Sequence, residues 1–397
     1  MKSSEDIVVL STARTPIGKF MGSLMTLPTG KLGALVVKAA IERAGIAPEM
    51  VDQVILGSVL TAGSGQNVAR QAALWAGLPS SVPAFTVNMV CGSGIMSLIL
   101  AAQAIIADGA EIVVAGGAEN MSASPYLLPR AREGYKMGHV QALDSMLCDG
   151  LTDVFNDVHM GIIAENIAEQ YGVSRSEQDA FALHSQEKAK AAVQSGRFLE
   201  EIVPVEIQNK KTSQIFIQDE YPRLDCTLEK LACLKPAFKQ EGSITAGNSS
   251  GINDGAAAIV LARQSRVKDL GLHPLAVIRG WSTVGVDPAQ MGLGPIPAVQ
   301  KLLQQAGISL MEIDLIEANE AFAAQCLAVI RTLGIPVERL NVNGGAIALG
   351  HPIGASGARI TVTLIQEMRK RSCRLGLATL CIGGGMGAAL LVENANN

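Results

Sequence analysis

Short apolar runs alternate with helical patterns through both ends of this chain. Ile7–Leu10 is apolar throughout and predicts a short buried strand. Gly33–Gly45 carries apolar residues at helical spacing and stops at a glycine, which predicts a helix. Val54–Leu56 predicts a second strand. A short apolar strand runs into Cys91, followed by a helix from Ile95 to about Ile106 and a strand over Ile112–Ala115. That order is the βαβ grammar of a covered, largely parallel sheet. Ile95–Ala115 is the most apolar stretch, but Gln103, Asp108 and Glu111 interrupt it. It reads as a buried helix followed by a strand, not a membrane span.

The grammar returns later in the chain. Ala44-Gly45-Ile46 with Val51-Asp52 is echoed by Ala306-Gly307-Ile308 with Ile313-Asp314. Cys91-Gly92-Ser93-Gly94 is echoed by Gly354-Ala355-Ser356-Gly357. The lags, from 44 to 306 and from 91 to 354, are 262 and 263 positions. A repeat that long predicts a duplicated α/β unit, not a solenoid. Residues 1–119 with 250–272 are expected to form one half, and 273–397 the other. Between them, 120–249 holds long polar helical patterns such as Arg175–Ser195 and irregular segments such as Tyr126–Asp153. This is expected to be an insertion lying over the sheet ends, where open α/β sheets place their sites. Gly247–Ala262 is expected to return a strand to the first half.

Composition narrows the class. Charged residues are 17% and hydrophobic residues 48%, too apolar for disorder. A net charge of -4 offers no basic footprint for nucleic acid. The seven cysteines are odd in number and none is spaced CxxC, which argues against a disulfide framework or a zinc ribbon. They fit a reducing compartment. The first ten residues contain Glu5 and Asp6 and no long apolar core, so no signal peptide is expected.

Three glycine loops carry candidate chemistry. Cys91 stands where a strand breaks into glycines before a helix, so helix amides are expected to stabilise its thiolate. Cys381 runs into Gly383-Gly384-Gly385, and His351 sits within the glycine-rich segment Asn341–Gly357. Burial as a small hydrophobe is the ordinary fate of a free cysteine. Three consecutive glycines are costly for packing alone and imply close approach of another segment or a ligand. Gly92-x-Gly94-x-x-Ser97 lacks the third glycine and the acidic residue of a dinucleotide site. His139, His184 and His273 have no ligand-spaced partners, and local sequence leaves His159 open as a pocket residue.

Taken in order, these motifs resemble the thiolase family. The resemblance runs from Arg14-Thr15-Pro16, through Gly116-Gly117-Ala118-Glu119-Asn120-Met121-Ser122 and Asn319-Glu320-Ala321-Phe322, to the Cys381 loop. It implies an α/β fold of two similar βαβ-rich halves in a five-layered αβαβα core, with an inserted α+β loop domain. It implies that Cys91 accepts an acyl group, that His351 takes its proton, and that Cys381 exchanges a proton with the substrate carbon. Asn319, through a water, and the Gly383 backbone N–H would stabilise oxyanions. The implied partners are acetyl-CoA, acetoacetyl-CoA and CoA, with no metal or organic cofactor, no nucleic acid and no membrane. His159, Met160 and Met291 match the short-chain branch, where they narrow the acyl pocket. Leu151, Arg223, Phe238, Ala246, Ser250, Ala321 and Phe322 match CoA contacts. A cytoplasmic homotetramer with Tyr126–Val140 at the inter-dimer contact is expected. A broad-chain degradative 3-ketoacyl-CoA thiolase and a non-catalytic acyl carrier are the alternatives.

Overall fold

Among the described residues the central sheet has ten strands, and it draws on both ends of the chain. The computed structural model describes residues 6–209 and 212–395. Nine strands are β1 (Ile7–Arg14), β2 (Gln53–Gly57), β3 (Ala84–Val87), β4 (Ile112–Asn120), β5 (Asn253–Arg263), β6 (Ala276–Gly285), β7 (Leu315–Ala318), β8 (Leu375–Ile382) and β9 (Met386–Asn394). They lie in the order β7-β8-β9-β6-β1-β5-β4-β2-β3, and the short strand Gly18–Lys19 pairs with β5. Among the described strands, only β2 with β3 and β4, and β7 with β8, are parallel. The expected largely parallel sheet is therefore corrected to a mixed one with an antiparallel middle. A strand covered on both faces reads as a continuous apolar run whichever way its neighbours point, so composition hid the direction.

The duplication is visible outward from the seam, where Ile7 faces Ile278 and Val9 faces Ala276. One half runs β1-β5-β4-β2, the other β6-β9-β8-β7. Each seam strand carries a bulge, between Val9 and Ser11 and between Ile278 and Gly280. Asp52 Oδ2 accepts from the backbone N–H of Glu111 and Ile112, and Asp314 Oδ2 accepts from those of Arg374 and Leu375. Gly45 and Gly307 end equivalent helices at φ 67° and 68°, in the left-handed region that a side chain would disfavour. The echoed residues thus do the same structural work twice.

The helices form three layers around the sheet halves. Among the described residues, the α-helices of eight or more residues are α1 (Thr29–Ala44), α2 (Val68–Trp75), α3 (Ser93–Gln103), α4 (Met160–Gln170), α5 (Arg175–Gln194), α6 (Pro295–Ala306), α7 (Ala323–Leu333) and α8 (Ser356–Arg371). Leu32, Val36, Ala69 and Ala72 of α1 and α2 pack with Ile112 and Val114 of β4 on one outer face. Val113 and Ala115 point the other way, onto Ile95 and Leu98 of α3 and Ile360 and Leu364 of α8. Leu377 and Leu391 bury against Val299 and Leu302 of α6 and Val329 of α7 on the far side. The layers run α1/α2, sheet, α3/α8, sheet, α6/α7. Among the described residues, Val90–Asp108 is long and apolar enough to cross a membrane. It occupies the middle layer, packed between the two sheet halves. The segment between β4 and β5 carries α4, α5 and the hairpin Val205–Asn209/Thr212–Phe216. There α5 starts with a capping box of Ser174 and Glu177.

Candidate active site

The amino termini of the two central helices meet backbone to backbone. A Cβ on Gly94 would lie 2.7 Å from Ala358 N, and one on Gly357 would lie 2.3 Å from Ile95 N. One on Gly117 would lie 2.1 Å from Gly354 O. No side chain fits these contacts. The repeated glycine turns therefore bring the loop before α3, with Cys91, against the loop before α8, with His351. A Cβ on Gly92 would lie 2.4 Å from Ile382 Cδ1, so the Cys381 loop closes on the same point.

Cys91 follows a strained residue. Val90 has φ 48°, which a β-branched side chain rarely adopts and which costs on the order of 1–3 kcal/mol. Hydrogen bonds hold it there. Val90 N donates to Asn88 Oδ1 at 2.9 Å, and Ser93 Oγ donates to Val90 O at 2.6 Å while accepting from Met89 N at 2.9 Å. The expected stabilised thiolate is not what this setting produces at rest. Burial pushes the Cys91 thiol up to about 11, against the lowering effect of the Gly383 and Cys91 backbone N–H groups, and Glu119 adds to the rise. Desolvation outweighs the helix terminus here.

The imidazole is also neutral. Burial, with Arg359 nearby, lowers His351 to about 3. His351 Nδ1 is 2.5 Å from Ser356 Oγ, whose hydroxyl donates to Pro352 O at 2.8 Å. Ser356 thus accepts from Nδ1–H, which leaves the Nε2 lone pair free. Asn319 Nδ2 lies 3.5 Å from that Nε2. Asn319 Oδ1 is buried and has no hydrogen-bond partner among the described residues. Cys381 is buried, and its thiol is pushed well above its ordinary value by desolvation and by Cys91 beside it. A cavity of about 210 Å³ is lined by Cys91, His351, Cys381 and Gly383 together.

The thiolase N-terminal domain family matches residues 7–265, and the thiolase C-terminal domain family matches 272–394. The chain belongs to the thiolase family. It is 57% identical over 389 residues to an acetyl-CoA acetyltransferase of Cupriavidus necator, covering 98% of this chain and 99% of that one. It is 57% identical over 393 residues to an acetyl-CoA acetyltransferase of Escherichia coli, covering 99% and 100%. The crystal structure of the Bacillus anthracis acetyl-CoA acetyltransferase superposes with a TM-score of 0.97 at 46% identity, covering 98% of this chain and 99% of that one.

In this thiolase the cavity wall contains most of the residues singled out from sequence. Leu151, His159, Met160, Phe238, Ser250, Met291, Ala321 and Phe322 line it with the two thiols and the imidazole. His159 caps α4, with Nδ1 accepting from Gly161 N at 3.0 Å. Burial lowers its pKa, so the neutral ring carries its proton on Nε2. The ring stacks on Phe238 at 4.6 Å. Three residues stand outside the wall. Asn319 reaches His351 Nε2 through Nδ2 without lining the cavity. Arg223 donates to Ala246 O at 3.2 Å and sits over the Tyr221 ring. A Cβ on Gly251, which lines the cavity, would lie 2.4 Å from that ring, so Tyr221, Arg223 and Ala246 flank the wall on its outer side. Met121, Leu147, Gly150, Ser249, Gly251, Ile252 and Ile353 complete the lining and were not foreseen. Met121 and Ile353 lie within motifs already singled out. Ser249, Gly251 and Ile252 flank Ser250, and Gly150 adjoins Leu151. Leu147 carries no sequence signal of its own.

Proposed function

We propose that this thiolase is an acetyl-CoA C-acetyltransferase, which condenses two acetyl-CoA into acetoacetyl-CoA and CoA, reversibly. His351 Nε2 takes the Cys91 proton as Sγ attacks the thioester carbonyl, and CoA leaves as a thiol with that proton. Acetyl-Cys91 remains. Cys381, as thiolate, removes a methyl proton from the second acetyl-CoA. The carbanion attacks acetyl-Cys91, the carbon–sulfur bond breaks, and the proton that Cys381 took passes to the Cys91 sulfur, which restores the Cys381 thiolate. Thiolysis runs the same steps backwards and begins with Cys381 as a thiol, the form its burial favours. The Cys91 and Gly383 N–H groups are the oxyanion donors of one step, and a water held by Asn319, with His351 Nε2–H while that ring carries the transferred proton, those of the other. Each donor is typically worth about 3 kcal/mol of barrier.

The observation that carries this reading is the single cavity shared by Cys91, His351, Cys381 and Gly383. The buried side chains of Met160 and Met291 in its wall favour a short acyl group over the broad-chain alternative. CoA enters only as substrate and product, and the chemistry as written uses no metal or organic cofactor. The enzyme is a cytoplasmic homotetramer in this reading. Exposed Tyr126, Leu128, Tyr135, Met137 and Val140 support a contact between dimers on that segment. Incubation with labelled acetyl-CoA should leave one acetyl group on the peptide containing Cys91. Absence of that adduct, or equal kcat/KM for acetoacetyl-CoA and 3-ketodecanoyl-CoA, rejects the proposal. A dimer mass in light scattering rejects the tetramer.

A further inference from the structure

The loop that carries His351 belongs to the second half, yet side chains of the first half hold both of its ends. Asn253, at the start of β5, accepts from His351 N through Oδ1 at 2.9 Å and donates to Gly18 O through Nδ2 at 3.0 Å. Glu119, near the end of β4, accepts from Gly354 N through Oε2 at 2.8 Å. The same oxygen accepts from Val59 N at 3.0 Å, while Oε1 accepts from Leu60 N at 3.1 Å and Ser58 Oγ at 3.4 Å. Both side chains are fully buried, and neither lines the cavity. Their strands are neighbours, with Glu119 facing Gly255.

The loop is shaped to receive these groups. A Cβ on Gly350 would lie 2.6 Å from the Asn253 side chain, and Gly350 has φ 105°. A Cβ on Gly354 would lie 2.5 Å from Glu119 Oε2. Pro352 stiffens the turn between the two anchors. A buried carboxylate is costly unless its lone pairs are satisfied. Here three backbone N–H groups from two loops and one hydroxyl satisfy it. An amide in its place would keep one acceptor oxygen and aim an NH₂ at a backbone N–H. Cys91 belongs to the same half as Glu119 and Asn253. Anchoring the His351 loop to that half removes any dependence of the base-to-nucleophile distance on movement at the seam between β1 and β6.

We infer that Glu119 and Asn253 are positioning residues that set where His351 Nε2 stands relative to the Cys91 sulfur. This rests on the reading of His351 as the base. The test uses the full-length enzyme with Glu119→Gln and Asn253→Ala. It records kcat and KM for thiolysis of acetoacetyl-CoA, the rate of Cys91 alkylation by iodoacetamide at neutral pH, and thermal melting. A misplacement of about 1 Å costs on the order of 100-fold, so kcat should fall by about that factor with KM within about threefold. In Asn253→Ala the alkylation rate should fall with it, because the base no longer reaches the thiol, whereas Glu119→Gln also removes a charge that raises the Cys91 thiol and is read by kcat alone. A purely structural role would lower the melting temperature and leave kcat of the folded fraction unchanged. A folded Glu119→Gln enzyme with kcat within about twofold of wild type overturns the inference. If that variant fails to fold, wild-type kcat in Asn253→Ala overturns it at the other anchor. If the wild-type enzyme itself does not turn over acetoacetyl-CoA, the functional reading fails instead. An unchanged alkylation rate in Asn253→Ala would then still overturn the anchoring.

Discussion

His351 Nδ1 lies 2.5 Å from Ser356 Oγ, and that hydroxyl donates to Pro352 O at 2.8 Å. The chain of bonds selects the tautomer whose Nε2 is bare. Replacing Ser356 by Ala removes the acceptor for Nδ1–H and frees the ring to turn or to carry its proton on Nε2. We expect kcat to drop about 10- to 100-fold, with KM for acetoacetyl-CoA nearly unchanged. Steady-state kinetics decide it, and full activity in Ser356→Ala would remove the tautomer argument.

The pH dependence follows from two opposed shifts. His351 is lowered to about 3, so it stays neutral until the medium is far more acidic than an ordinary histidine requires. No acid limb from this ring should appear between pH 5 and 7. Cys91 is raised to about 11, so its thiolate fraction grows with pH up to that region. Alkylation of the free enzyme by iodoacetamide should climb steadily from pH 7 to 10. A plateau below pH 8 would mean a preformed thiolate.

The contact between the helix termini tolerates no side chain. Gly357→Ala places a Cβ 2.3 Å from Ile95 N, and backbone must move. We expect a loss of about 1–3 kcal/mol of stability, with activity falling further than stability, because the Cys91 and His351 loops separate. Gly285→Ala is the control. Among the described residues nothing lies within 4 Å of its added Cβ, so its cost should stay under about 1 kcal/mol. Urea unfolding of the two variants measures both, and equal midpoints would contradict the packing argument.

Met160 and Met291 are 8% and 3% exposed and face the cavity. Truncating either to Ala opens space for a longer acyl chain. The ratio of kcat/KM for 3-ketohexanoyl-CoA to that for acetoacetyl-CoA should rise about 10-fold or more, since each methylene in a pocket is worth about 1–3 kcal/mol. An unchanged ratio would place chain-length selection elsewhere.

Legibility differed from residue to residue. The repeat at Asp52 and Asp314 was readable because the same residue type recurs at the same place in both copies, although each carboxylate caps a strand 60 or 61 positions further on. Gly45 and Gly307 were readable because a helix end needs the left-handed region that glycine supplies. Glu119 and Ser356 lay inside motifs already singled out, yet their work was hidden. Glu119 reaches Gly354 across 235 positions, and no local pattern reports that contact. Ser356 needs the fold of the loop before its hydroxyl can face Nδ1.

The sequence by itself determined the strand and helix alternation, the duplication and the three glycine loops that hold the reactive side chains. These follow from backbone preference and side-chain type, which act over a few residues. Only the tertiary structure decided that the sheet's middle is antiparallel, that both thiols and the imidazole rest uncharged, and that the first half anchors the base of the second. Strand direction, desolvation and long-range hydrogen bonds depend on which distant segments come to lie together. A linear pattern does not contain that information.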